Sequence, residues 1–183
     1  MKSLLLSCIF AVILFSSLPV FYILSTVKGE DGISLQNAKV VYNLPYPGLL
    51  PDNPVYFLKA SRDKLVEFFT RDNVKKARLY LNYSDKRISM AIKLADKGEH
   101  KLSLTTVSKA EKYFIKIPDL LKESKKQGAA PPQELILQLK QSNLKHKEII
   151  DTMLKDFPQG EKESFDQIIK MNLQITEQLN ELE

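Results

Sequence analysis

Few residues in this chain have the types and spacing that chemistry requires. There are two histidines, His100 and His146, and a single cysteine, Cys8. With its only thiol inside an apolar N-terminal run, the rest of the chain cannot build an intrachain disulfide, a cysteine nucleophile or a zinc–thiolate site. The acidic pairs Glu161/Glu163 and Glu181/Glu183 fall on terminal helix turns, where solvated charge is the expected role. No glycine-rich phosphate loop, nucleophile elbow or His-Glu-x-x-His pattern is present. We therefore expect no catalytic residue, no metal ligand set and no cofactor, and do not expect an enzyme. A carboxylate site of a cell-envelope enzyme is the alternative that spacing alone leaves open.

His146 carries the most information. It lies on a 3,4-spaced line with Ile136, Leu139, Asn143, Ile150 and Met153, and a second such line runs through Phe165, Ile168, Asn172, Ile175, Leu179 and Leu182. Facing residues of an antiparallel hairpin have position numbers with a constant sum. Folding about Gln159 pairs Met153 with Phe165, Ile150 with Ile168 and Leu139 with Leu179, and sets His146 opposite Asn172. A polar pair in an otherwise apolar seam is predicted to fix register by hydrogen bonding, as a structural rather than catalytic pair. With His100 at an exposed helix start, no second ligand is at hand.

A proline-rich stretch is the other unusual feature. Residues 42–56 read YNLPYPGLLPDNPVY, with four prolines, and proline removes both its own residue and its predecessor from helix. Tyr42, Leu44, Tyr46, Leu49 and Leu50 are too apolar for a free linker, so this segment is predicted to lie on the helices as a strap. Tyr42, Pro45, Tyr46, Pro47, Pro51 and Tyr56 are its candidate partner-binding residues, with sealing of the bundle as their other role.

The elements that must hold these residues are all helical. An Asp52-Asn53 cap with Pro54 at the first position opens helix one, ending near Thr70. Leu58, Leu65 and Phe69, with Phe57, Val66 and Phe68 beside them, are predicted to be its core face. Asp72 caps a second helix, residues 73–97, which Gly98 stops. A third spans residues 100–126 and should kink or break at Pro118 after Ile117. After the boundary at residues 128–132, helix four covers residues 133–156 and helix five begins at Glu161. For helices two and three, folding about Glu99 predicts Ala91 against Val107, Ser84 against Phe114 and Ala77 against Leu121. The fold class is all-α: about five amphipathic helices in antiparallel hairpins behind an N-terminal helix.

Composition fits. The chain is 44% hydrophobic and 27% charged, with six glycines and no tryptophan. A body of about 150 residues buries enough surface to need no staple. The formal charge of +5 includes Lys2 and Lys28, and the remaining lysines lie among acids, so a nucleic-acid partner is not expected.

From Leu4 to Leu24 no residue is charged, a run of about twenty residues that can cross a bilayer once. Lys2 precedes it, and Lys28 is followed at once by Glu30 and Asp31, so the positive-inside rule predicts a short cytoplasmic N-terminus and an extracytoplasmic body. Cleavage as a signal peptide, releasing the body, is the alternative, although no clean small-x-small site follows the run. Lipidation at Cys8 is disfavoured because most of the apolar run comes after it. The organisation expected is an anchor or signal segment at residues 1–28, linker and strap at 29–53, a three-helix core at 54–127 and a C-terminal hairpin at 133–183.

The sequence LPYPGLLPDNPVYFLK at residues 44–59, followed by FFTRD at 68–72, KKA at 75–77 and LADKG at 94–98, resembles an uncharacterised bacterial family, a domain of unknown function with an LPYPGxLPDxPxYFLK motif. The resemblance covers residues 42–121. It implies bacterial origin and an extracytoplasmic helical domain, with no established activity or ligand. Some members look like regulators with a sigma-factor-binding part ahead of the membrane helix; with only Met1 to Ser3 before the apolar run, that arrangement is not expected here. The function expected is a membrane-tethered interaction or scaffold module with a protein or cell-envelope partner. A regulatory or sensory domain acting with another membrane protein is the further alternative.

Overall fold

The structure is a computed structural model that describes residues 40–157 and 159–182. The apolar run from Leu4 to Leu24, Cys8 and most of the expected linker lie outside the described residues. Among those described, no helix is long and apolar enough to cross a membrane, and no β-strand is found.

Six α-helices follow the strap: α1 Tyr56–Phe69, α2 Asn73–Asp96, α3 His100–Phe114, α4 Ile117–Lys126, α5 Gln133–Asp156 and α6 Lys162–Asn180, the last preceded by a short 3-10 turn at Gln159–Glu161. Asp72 caps α2 by accepting from the Lys75 N–H at 2.7 Å, offsetting one of the first-turn donors that a helix leaves unpaired. Gly98, at φ +79°, takes the left-handed conformation that lets α2 reverse into α3 within a few residues. The third predicted helix is two helices. The break falls at residues 115–116, and Pro118 sits in the first turn of α4, where its missing N–H costs no bond. Helix α1 starts later than its sequence signal: residues 51–55 form turns, and Asn53 accepts from the Val55 N–H at 3.0 Å.

Helices α2, α3 with α4, α6 and α5 pack in a ring, each against the next, with α5 closing on α2. The ring encloses two apolar clusters. One gathers Ile88, Val107, Ile149, Ile150, Phe165 and Ile168, with Leu44 of the strap. The other gathers Leu81, Phe114, Leu121, Leu139, Ile175 and Leu179. Along every long helix these clusters occupy opposite ends, and the buried polar residues Asp85, Glu111, His146 and Asn172 fall between them.

The Ser84 hydroxyl donates to the Ala110 carbonyl at 2.9 Å and that of Ser103 to Ala91 at 2.7 Å, so two serines tie α2 to α3. The predicted partners Ala91 and Val107 share one apolar cluster, and Ala77 and Leu121 the other. One expectation is corrected, and it concerns α1. Its apolar residues face outward, with Phe57 62%, Leu58 59%, Leu65 59%, Phe68 75% and Phe69 73% exposed, and its one buried residue is Asp63. The ring already buries its own apolar stripes, and the surface it offers α1 carries the phenols of Tyr80, Tyr83 and Tyr113. These need hydrogen-bond partners, so the polar side of α1 turns inward. Tyr83 donates to the Asp63 carbonyl at 3.0 Å and Tyr80 to the Glu67 carboxylate at 2.7 Å.

This arrangement separates two phenylalanines that the sequence does not distinguish. Phe114→Ala, at a fully buried position, should lower unfolding free energy in denaturant by about 3–5 kcal/mol. Phe68→Ala should change it by no more than about 0.5 kcal/mol.

Candidate functional site

The polar layer draws on four helices and the strap. His146 of α5 places Nδ1 at 2.8 Å from Oε1 of Glu111 on α3, and Nε2 at 3.0 Å from Oδ1 of Asp85 on α2. Both ring nitrogens face carboxylate oxygens, so both carry protons and the ring is an imidazolium. Ser142, one turn earlier on α5, donates to Oδ1 of Asp85 at 2.6 Å, and Tyr42 of the strap donates to Oδ2 at 2.6 Å. On the far side, the Asn172 amide of α6 donates to Oε2 of Glu111 at 3.3 Å and to Oδ1 of Asn143 at 2.9 Å. The side chains of His146 and Glu111 are 0% exposed.

His146 and Asn172 thus do not bond each other. Glu111 stands between them, because the carboxylates already take both imidazole nitrogens and the amide finds Asn143 and Glu111 instead. Asp85 and Glu111 were not anticipated as site residues. Their signal was the spacing: Asp85 lies four after Leu81 and three before Ile88, and Glu111 four after Val107 and three before Phe114, inside apolar stripes.

Burial alone pushes His146 down. The hydrogen bonds that His146 donates to Asp85 and Glu111, and their charges, outweigh it and raise its pKa to about 9. Burial and the Asp85 charge push the Tyr42 hydroxyl above its usual range, so it stays a donor. The serine, histidine and carboxylates do not form a nucleophile arrangement: Ser142 donates to Asp85, His146 has no free lone pair to accept its proton, and nothing in solvent reaches the ring. What the layer can do is hold four helices and the strap in one register.

The strap is fastened along its length. The Val40 backbone is held by Lys145 and Glu148 of α5, the Pro45 carbonyl accepts from Ser89, and Lys59 of α1 donates to the Pro47 and Leu49 carbonyls. Pro47 is buried, Tyr42, Pro45, Pro51 and Tyr56 are half-buried, and Tyr46 is 66% exposed. Five of the six candidate strap residues therefore pack on their own chain, and Tyr46 presents itself to solvent.

A small cleft between α1 and α2 is lined by Tyr56, Lys59, Arg62, Asp63, Lys86 and Arg87, among others. Burial lowers Lys59 to about 8 and shifts Lys86 in the same direction. Buried Arg87 lies 4.3 Å over the Tyr113 ring and donates to the Tyr83 carbonyl. Asp63, paired with Arg62 at 2.7 Å, is the one carboxylate among these cations. No cluster of metal-ligating side chains is found among the described residues.

A family model for a domain of unknown function, DUF5667, matches residues 48–160. The chain belongs to that family. The DUF5667 match extends past Leu121, where the resemblance read from the sequence stops, and takes in α5, so that Ser142 and His146 fall within it along with Asp85 and Glu111. Tyr42 and Asn172 lie outside it. No curated protein and no solved structure matches the chain.

The raised value of His146 fixes a sign. Folding takes up a proton, so the stabilisation is complete below the ordinary value near 6.5 and is lost as pH rises through about 9. Denaturation at a series of pH values should show roughly 3 kcal/mol of stability lost between pH 6 and pH 10, and His146→Gln should remove that alkaline loss. Tyr42→Phe deletes one hydrogen bond to a charged acceptor, and should cost about 1.5–3 kcal/mol while loosening the strap in hydrogen exchange.

Proposed function

We propose that the protein is a membrane-tethered, extracytoplasmic helical interaction module, anchored by the run from Leu4 to Leu24 with its N-terminus inside. The observation that carries this reading is α1. A bundle that satisfies nearly every buried polar group leaves a helix face of five large apolar side chains in solvent, and such faces mark surfaces that meet something else. The carboxylates at the centre of the bundle, by contrast, are buried and both paired with the single His146 ring. That favours a binding module over an envelope enzyme.

The proline-rich motif fits the same reading as a fastening. It delivers the chain to the bundle and spends its carbonyls on Ser89 and Lys59, leaving Tyr46 and the α1 face as the parts offered outward.

Expression of the full chain in a bacterial host tests the placement. The protein should sediment with membranes, resist alkaline carbonate extraction, and lose its body to protease added outside spheroplasts. A body recovered from the cytosolic fraction, or protected until the spheroplasts are lysed, would overturn the proposal.

A further inference from the structure

The outward face of α1 has a definite shape and charge. At about 100° per residue, Phe57, Leu58, Leu65, Phe68 and Phe69 fall within an arc of about 120° centred opposite Asp63, and the polar residue among them is Ser61. Arg62 and Lys64 stand at the two edges of the arc. The acids of α1, Asp63 and Glu67, both turn inward and are bonded to Arg62 and Tyr80. Arg62 also lines the cleft that holds Lys59, Lys86 and Arg87, so cationic groups continue from one edge of the apolar face into the body. Lys64 borders the opposite edge.

An apolar arc of phenylalanine and leucine between basic borders is the pattern of a helix lying in the interface of an anionic bilayer: rings and aliphatic chains enter the acyl boundary, and guanidinium and ammonium groups meet phosphates. A protein groove would supply the apolar contact but does not call for basic residues at both edges, Lys64 at one and Arg62, which also pairs with Asp63 at 2.7 Å, at the other. We propose that α1 docks the body onto the surface of an anionic phospholipid bilayer. The inference deepens the reading above, and rests on it for the body's delivery to a membrane surface.

The chain has no tryptophan, so Phe68→Trp provides a single reporter at a solvent-exposed site. The full chain is reconstituted in vesicles of phosphatidylcholine, with or without a third of phosphatidylglycerol, in which the lipids carry bromine at mid-chain. Flotation reports the tether, and tryptophan emission reports α1. Trp fluorescence should shift to the blue and be quenched by the brominated lipid, more strongly with phosphatidylglycerol. Leu173→Trp, on exposed α6 across the ring from α2, should stay unquenched. Arg62→Glu with Lys64→Glu should lower the ratio of inserted to free α1 at least about tenfold, since each basic residue near an anionic surface is worth a factor of about five; circular dichroism checks that the helices persist. A chain that floats with its tryptophan unquenched overturns the lipid contact and leaves the tether standing. Quenching by a chain that alkaline carbonate then strips from the vesicles overturns the tether and leaves the lipid contact standing. A blue shift that grows with protein concentration and ignores the bromine points to a second copy on this face, and also overturns the proposal.

Discussion

The structure depends on one charged contact in its middle. An imidazolium between two carboxylates is costly to bury, since each ion gives up its water, and only full hydrogen bonding on every side offsets that cost. Here the remaining lone pairs of Asp85 accept from Ser142 and Tyr42, and those of Glu111 accept from Asn172. Because the participants come from α2, α3, α5, α6 and the strap, none of these four helices can slide past another without stripping a partner from a buried charge. Apolar clusters on either side supply most of the cohesive energy and would tolerate several packings. The layer between them selects one.

That division of labour accounts for the outer parts. A ring that has closed over its own apolar stripes leaves α1 to be held by polar contacts, through tyrosine hydroxyls to Asp63 and Glu67 and through Lys59 to the strap. The helix is therefore amphipathic with its apolar face turned away from the ring. The strap follows a similar logic. Its prolines keep carbonyls free by preventing helix, and those carbonyls become acceptors for Ser89 and Lys59.

Much of this could be read from sequence where local rules act alone. Asp72, Gly98 and the break at residues 128–132 mark helix ends through backbone conformation, which neighbours scarcely alter. The seams of α5 and α6 were legible because two whole lines of residues had to agree on one fold point. In α2 and α3 the same method set Ala77 against Leu121 and Ala91 against Val107, and each pair lies within one apolar cluster. His146 was recognised as buried but its partners were not, because acids are read as solvent-facing unless a counter-charge is known. Helix α1 misled for the opposite reason: an apolar stripe points to burial, and the sequence does not say whether the covering surface belongs to the same chain.

The place where the chain joins the bundle has a mechanical consequence. Val40 is gripped by Lys145 and Glu148 of α5, and two residues later Tyr42 hangs on Asp85 of α2. A pull on the polypeptide ahead of Val40 is therefore taken up midway along two helices at once, as shear across many contacts. The bundle resists such traction as a block, where attachment to a helix end would let it unzip turn by turn.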